Sequence, residues 1–148
     1  MKLSLRFLSD YVKSEFYREP KSYCDRMTAT GSKVEGYELA GEDVLNVVIA
    51  KITEVKPHPD ADRLQICAVD TGKETIQVVT AAQNVFAGAI VPVALDGASL
   101  PGGVKIQTGK LRGEVSQGMF CSIAELGLTI HDMPGAAEDG ILILPSDA

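Results

Sequence analysis

The sequence predicts a mainly β protein, a small closed or partly closed barrel preceded by a short helical segment. Three observations carry this. From Val44 onward, β-rich runs alternate at close spacing with breaks containing Gly and Pro. Before Gly41 the apolar residues recur at helical spacing instead. The 148 residues are 45% hydrophobic and 23% charged, a globular composition with room for one domain and a small appendage. The change of pattern near Gly41 divides the chain into a helical module over 1–40 and a barrel domain over 41–148.

In the module, Leu5, Leu8 and Val12 share one helical face, and Ser4 is placed to cap it. A second helix starts at Pro20, suited to a first turn, and stops at Gly31, suited to the left-handed position past the end. Tyr23 and Met27 form its inner stripe. Two helices this short bury little, so the segment must dock on something.

The barrel opens with VLNVVIAKITEV, which breaks at the turn-forming PHPDAD. LQICAVD, TIQVVTAA and AIVPVAL follow as strands, then VKIQTGKLRG, QGMFCS and GILILP. SIAELGL reads as an inserted helical turn, with Ser122 as N-cap and Glu125 as its capping-box partner. A chain of this length buries roughly 65–70% of its unfolded surface and needs no disulfide or metal staple.

Charge narrows the function. The net charge is −6, and residues 41–148 hold seven basic against fourteen acidic side chains. A binder working through a general basic field has the opposite sign, so any nucleic-acid contact must rest on a local patch or on shape. Cys24, Cys67 and Cys121 are widely spaced and form no C-x-x-C pair, and His58 and His131 lie far from them. That arithmetic excludes an ordinary zinc site and predicts reduced, mostly buried thiols. No apolar run approaches the ~18 residues of a membrane span, and the polar start lacks a signal-peptide core. A soluble, cytoplasmic chain with no membrane partner is expected.

Three catalytic signatures come close and fail. Gly103 to Lys110 resembles a phosphate-binding loop but has one residue too many between the glycines, and Leu111 follows where Ser or Thr should hold magnesium. Ser116 lacks the glycine two residues earlier that a nucleophile elbow requires. HPDAD sets Asp60 and Asp62 beside His58 without the further ligands of a calcium loop. No complete active site and no metal site is expected. What remains is a basic stretch: Lys105, Lys110 and Arg112 stand close together with no acid between them. Lys51 and Arg63 are candidates to join them from facing strands. Small barrels of this kind bind oligonucleotides on one face with groove charges and aromatic platforms. Platforms are scarce here, since Phe86 and Phe120 are the only aromatic residues after position 41 and both suit a core.

VVIAKITEVKPHPDADRLQICAVDTG resembles the first half of the tRNA-binding, oligonucleotide-binding-fold (OB-fold) domain found in several synthetases and synthetase-associated proteins. The second half, from Gly88 to Leu128, is similar to the version in the β subunit of bacterial phenylalanyl-tRNA synthetases. PGG at Pro101, KLRG at Lys110, S-x-GM-x-CS at Ser116 and ELGL at Glu125 carry the likeness. MKLSLRFLSDYV, with Phe7, and TATGSKVEG resemble the N-terminus of that subunit. The sequence departs from the family at Ser32 and Lys33, and at Ala81–Ala82, where Cys-Gly or Ser-Gly is usual.

The resemblance implies a five-stranded OB-fold barrel with extra strands and a short helical insertion, after a small α(+β) N-terminal module that is incomplete in this chain. It implies an N-terminal fragment of a longer subunit, whose ATP- and magnesium-dependent ligation of phenylalanine to tRNA is performed by other parts. No catalytic residue maps onto 1–148, so the chain is expected to be inactive alone and to hold no cofactor. The implied role is accessory tRNA binding by structure, through phosphates and 2′-hydroxyls. Lys110 and Arg112 would meet phosphates, with Asn84 and Ser116 as neutral donors nearby. The implied partners are tRNA, the rest of the β subunit and the α subunit, and not DNA. A second reading is a structural or subunit-contact module with little RNA affinity, favoured by the acidic balance. A third, a free-standing tRNA-binding protein, is opposed by the synthetase-like N-terminus.

Overall fold

A computed structural model describes residues 1–13, 15–39 and 41–146. They form two compact units, Met1–Ala40 and Gly41–Ala148.

In the first unit, helix α1 spans Leu5–Ser9, and the Ser4 hydroxyl accepts from the Phe7 N–H at 3.2 Å. Val12 lies past the end of the helix and is exposed, so the apolar stripe read for this segment is cut short by one turn. Helix α2 spans Pro20–Ala29, with Pro20 in its first turn. It closes at Gly31 (φ +105°), where the Gly31 and Ser32 N–H groups donate to Thr28 and Met27 carbonyls. This is a Schellman closure, which needs the left-handed residue that glycine supplies. Tyr23 and Met27 are half-buried, and neither helix contains a fully buried residue. The Lys2–Glu38 ion pair (2.8 Å) is exposed on both sides and contributes little stability.

The second unit is all β. Its strands are β1 Leu45–His58, β2 Ala61–Asp70, β3 Thr75–Thr80, β4 Ile90–Leu100, β5 Val104–Lys105, β6 Gly109–Leu111, β7 Glu114–Ser116 and β8 Gly118–Phe120. One antiparallel sheet runs β3-β2-β1-β4-β5, with β8 also on β4, and β6 and β7 form a separate hairpin. The long β1 organises the sheet. Its first half pairs with β4, its second half with β2, and register breaks at Asn46 and Thr53 let it bend between them. The result is a curled, OB-like half-barrel. Ile52, Cys67, Val69, Val78, Val91, Val93 and Phe120 fill its inside. A smaller cluster of Ala94, Ala98, Leu100, Ile106 and Cys121 packs separately. Burial pushes the Cys67 and Cys121 thiols up to about 11, so neither is a nucleophile at neutral pH.

The free edge of β3 meets β7 and β8 through one backbone bond and several side-chain bonds rather than a regular ladder. The Gln117 N–H donates to the Gln77 carbonyl (2.8 Å), while the Gln77 N–H donates to Gln117 Oε1 (3.0 Å). The Val79 N–H donates to Ser116 Oγ (3.0 Å), and that hydroxyl donates to the Gly118 carbonyl (2.8 Å). This seam pairs an edge that would otherwise expose open backbone groups.

Three strand expectations are corrected. The break expected at PHPDAD contracts to Pro59–Asp60, because β1 continues through Pro57 and His58. VKIQTGKLRG is two strands, not one. Ile106 still bonds the backbone of Gly97 and Ala98, and then the Asp96 carboxylate takes the Thr108 N–H (2.6 Å) and ends that line. GILILP forms one bridge, Ile90 to Leu144, because its N–H groups reach two different segments: Leu142 bonds Cys121 and Leu144 bonds Ile90. SIAELGL is a single turn with its capping box in place. The Ser122 N–H donates to Glu125 Oε2 (2.7 Å), and the Glu125 N–H to Ser122 Oγ (3.3 Å).

Candidate nucleic-acid interface

Lys110 and Arg112 stand on the β6–β7 hairpin. Leu111 pairs with Glu114, so Arg112 and Gly113 make a two-residue turn, and both have positive φ (+51° and +92°). That is the type I′ geometry whose twist suits a hairpin, and its first position prefers Asn, Asp or Gly. An arginine held there costs about 1–2 kcal/mol of backbone strain. Both cations are exposed, and neither forms an ion pair among the described residues. The turn thus presents two unengaged positive charges.

The other expected cations are more dispersed. Lys105 lies on β5 opposite Ser99, so the expected basic stretch divides between two sheets. The Asp96 carboxylate that separates them is itself a local negative charge. Arg63 is exposed on β2 near the β1–β2 turn, and its carbonyl accepts from Gln83 Nε2 (3.3 Å). That turn is tied to the hairpin by His58, whose Nε2 lies 3.2 Å from the Leu111 carbonyl. Arg63, Lys110 and Arg112 therefore belong to segments that meet. Lys51 is exposed seven residues before His58 on the same strand, on the far side of the register break at Thr53.

Asn84 and Ser116, expected as neutral donors near the cations, already bond backbone groups. Asn84 Nδ2 donates to the Ile141 carbonyl (2.9 Å), and its Oδ1 accepts from the Ile141 N–H (3.1 Å). Gly140 (φ +105°) passes so close that a Cβ there would sit 2.5 Å from Asn84 Oδ1. Asn84 is thus a clamp on the C-terminal segment. Ser116 is 7% exposed, and its hydroxyl already serves the barrel seam. Of the two phenylalanines, Phe120 is core, while Phe86 is 53% exposed in the loop before β4. Phe86 is the available stacking surface in this unit, which composition could not distinguish from core.

The glycines that resembled a phosphate loop do different work. Gly102 and Gly103 (φ +84° and +78°) form the tight β4–β5 turn, and Gly109 begins β6, with no helix following. No group of three or more His, Cys, Asp or Glu clusters among the described residues. No helix among them is long and apolar enough to cross a membrane.

A family model described as a putative tRNA-binding domain matches residues 47–147. The phenylalanine–tRNA ligase β subunit of Clostridium acetobutylicum is 54% identical over 129 residues, covering 86% of this chain and 16% of the relative. That of Clostridium tetani is 48% identical over 148 residues, covering 99% of this chain and 18% of the relative. The chain therefore spans less than a fifth of the length of these relatives. The C-terminal domain of Plasmodium vivax p43 aligns at a TM-score of 0.43 and 23% identity, over 55% of this chain and 48% of that one.

Proposed function

Because the chain belongs to the family of putative tRNA-binding domains, we propose that it is an accessory RNA-binding barrel that holds tRNA through phosphates. Lys110 and Arg112 on the hairpin tip make the principal contacts, Arg63 supports them, and Lys51 and Lys105 act further along the surface. The observation that carries this reading is the exposed, unpaired Arg112 in a strained turn, since such strain persists at sites where a side chain must be presented. In this reading the chain serves a phenylalanine–tRNA ligase β subunit in the cytoplasm. Its partners are tRNA, the rest of that subunit and an α subunit, and not DNA. ATP and magnesium act elsewhere in the whole enzyme. Asn84 and Ser116 support the surface from inside.

Lys110→Ala with Arg112→Ala tests this. Each neutralised phosphate contributes roughly 0.7–0.9 to the slope of log K against log salt. The double variant is expected to lower tRNA affinity about tenfold at low salt, equally for unrelated tRNAs, and to flatten the slope by about 1.4–1.8. Asp96→Asn, which keeps an acceptor for the Thr108 N–H, is expected to strengthen binding. If affinity and slope both survive the double substitution, the structural-module reading stands instead. The excess of acidic residues after position 40 favours that second reading.

The two units also serve as separate domains in this proposal. Residues 41–148 carry the buried apolar residues of the hydrophobic core, whereas the helices of 1–40 bury no residue fully. By circular dichroism, 41–148 alone is expected to melt cooperatively, and 1–40 alone to be largely unfolded. A cooperative melt of 1–40, or an unfolded 41–148, contradicts that division.

A further inference from the structure

We propose that His58 is a positioning residue for the RNA-binding hairpin, holding β6 against the β1–β2 turn with Nε2 donating and Nδ1 accepting. This rests on the reading of the Lys110–Arg112 tip as the RNA contact. HPDAD matched no metal loop, yet its histidine is 5% exposed, one of two buried polar side chains among the described residues. Both ring nitrogens are engaged by backbone. The Asp60 N–H donates to Nδ1 at 3.1 Å, and Nε2 lies 3.2 Å from the Leu111 carbonyl. A backbone N–H can only donate and a carbonyl can only accept, so Nδ1 carries the lone pair and Nε2 the proton.

The hairpin needs such a tie. A two-stranded sheet is marginal by itself, and this one carries the strained Arg112 turn at its tip. Strand β7 is fastened to the barrel by Ser116 and by Gln77, whose Nε2 donates to the Val115 carbonyl (2.8 Å). On β6, the fastening found among the described side chains is His58 to Leu111, between the two cations. Holding the tip in place lowers the ordering cost when RNA binds.

The two amide isosteres separate the ring's two bonds. A Gln amide nitrogen reaches the Nε2 position, and Asn reaches only the Nδ1 position. In the full chain, His58→Gln is expected to keep hydrogen-exchange protection of the 109–115 amides and tRNA affinity within about twofold of the original. His58→Asn is expected to speed exchange there about tenfold and weaken tRNA binding about five- to tenfold, with the salt slope unchanged because the phosphate contacts remain. Nitrogen-15 spectra of the chain carrying His131→Gln, which leaves one imidazole, are expected to show Nε2 protonated and Nδ1 not. This last measurement needs no variant at position 58. Original exchange rates in His58→Asn, equal defects in both variants, or a proton on Nδ1 each overturn the proposal. If His58→Asn loosens the hairpin while Lys110→Ala with Arg112→Ala leaves affinity intact, positioning holds and the RNA reading fails.

Discussion

Gly118→Ala is expected to destabilise the barrel by about 2–4 kcal/mol, read as a lower urea midpoint at unchanged m-value. Gly118 is buried on β8 opposite Leu95. A Cβ there would lie 2.7 Å from the Ala94 carbonyl oxygen and 3.2 Å from Val93 Cγ1. The Ala94 oxygen is backbone of β4, a strand held on both sides, so it cannot turn aside as a flexible side chain could. Strand β8 must retreat instead, drawing Phe120 out of register with Val93 and opening the core. Gly109→Ala is the control. Its Cβ meets nothing nearer than the Gln107 carbonyl at 3.9 Å, and a change within about 0.5 kcal/mol is expected. Equal effects at both positions would show that close packing is not what requires glycine at 118.

Ser116→Ala is expected to cost about 2–4 kcal/mol while leaving the salt dependence of tRNA binding unchanged. Its hydroxyl accepts from the Val79 N–H and donates to the Gly118 carbonyl, so alanine strands two buried backbone groups at about 1–3 kcal/mol each. Because that hydroxyl faces the seam, no phosphate contact is lost. The Lys110→Ala with Arg112→Ala pair is expected to behave oppositely, changing the slope with little change in melting. Thermal melts and salt titrations of the same two proteins separate structural support from contact. A Ser116→Ala variant that melts normally but binds with a flatter slope would return Ser116 to the RNA surface.

What could be read in advance follows the range of the interaction. The Ser4 cap, the Pro20 to Gly31 helix and the Ser122–Glu125 capping box join residues three or four apart or depend on one residue's φ. Their geometry is therefore written in adjacent letters. Strand alternation is local in the same sense, which is why the barrel's main strands were legible from Val44 onward. The family phrases added the barrel's topology, since their order along the chain implies a known one.

The sequence by itself determined a mainly β barrel after a helical segment, an acidic chain with a few crowded cations, and the family to which the barrel belongs. Tertiary structure decided which polar groups remain available to a ligand. Ser116 bonds a residue 37 positions away, His58 one 53 away and Asn84 one 57 away, and no local pattern encodes such pairings. The sequence offered Ser116 and Asn84 as RNA donors and set His58 in a turn with too few ligands for a metal, and none of these readings names the backbone group each side chain meets. Which reading holds depends on whether a distant backbone group arrives to be satisfied, because a buried N–H or C=O must find a partner and takes the side chain that lies beside it. Lys105 and Lys110 likewise fall on different sheets, with the exposed Asp96 carboxylate taking the Thr108 N–H between them.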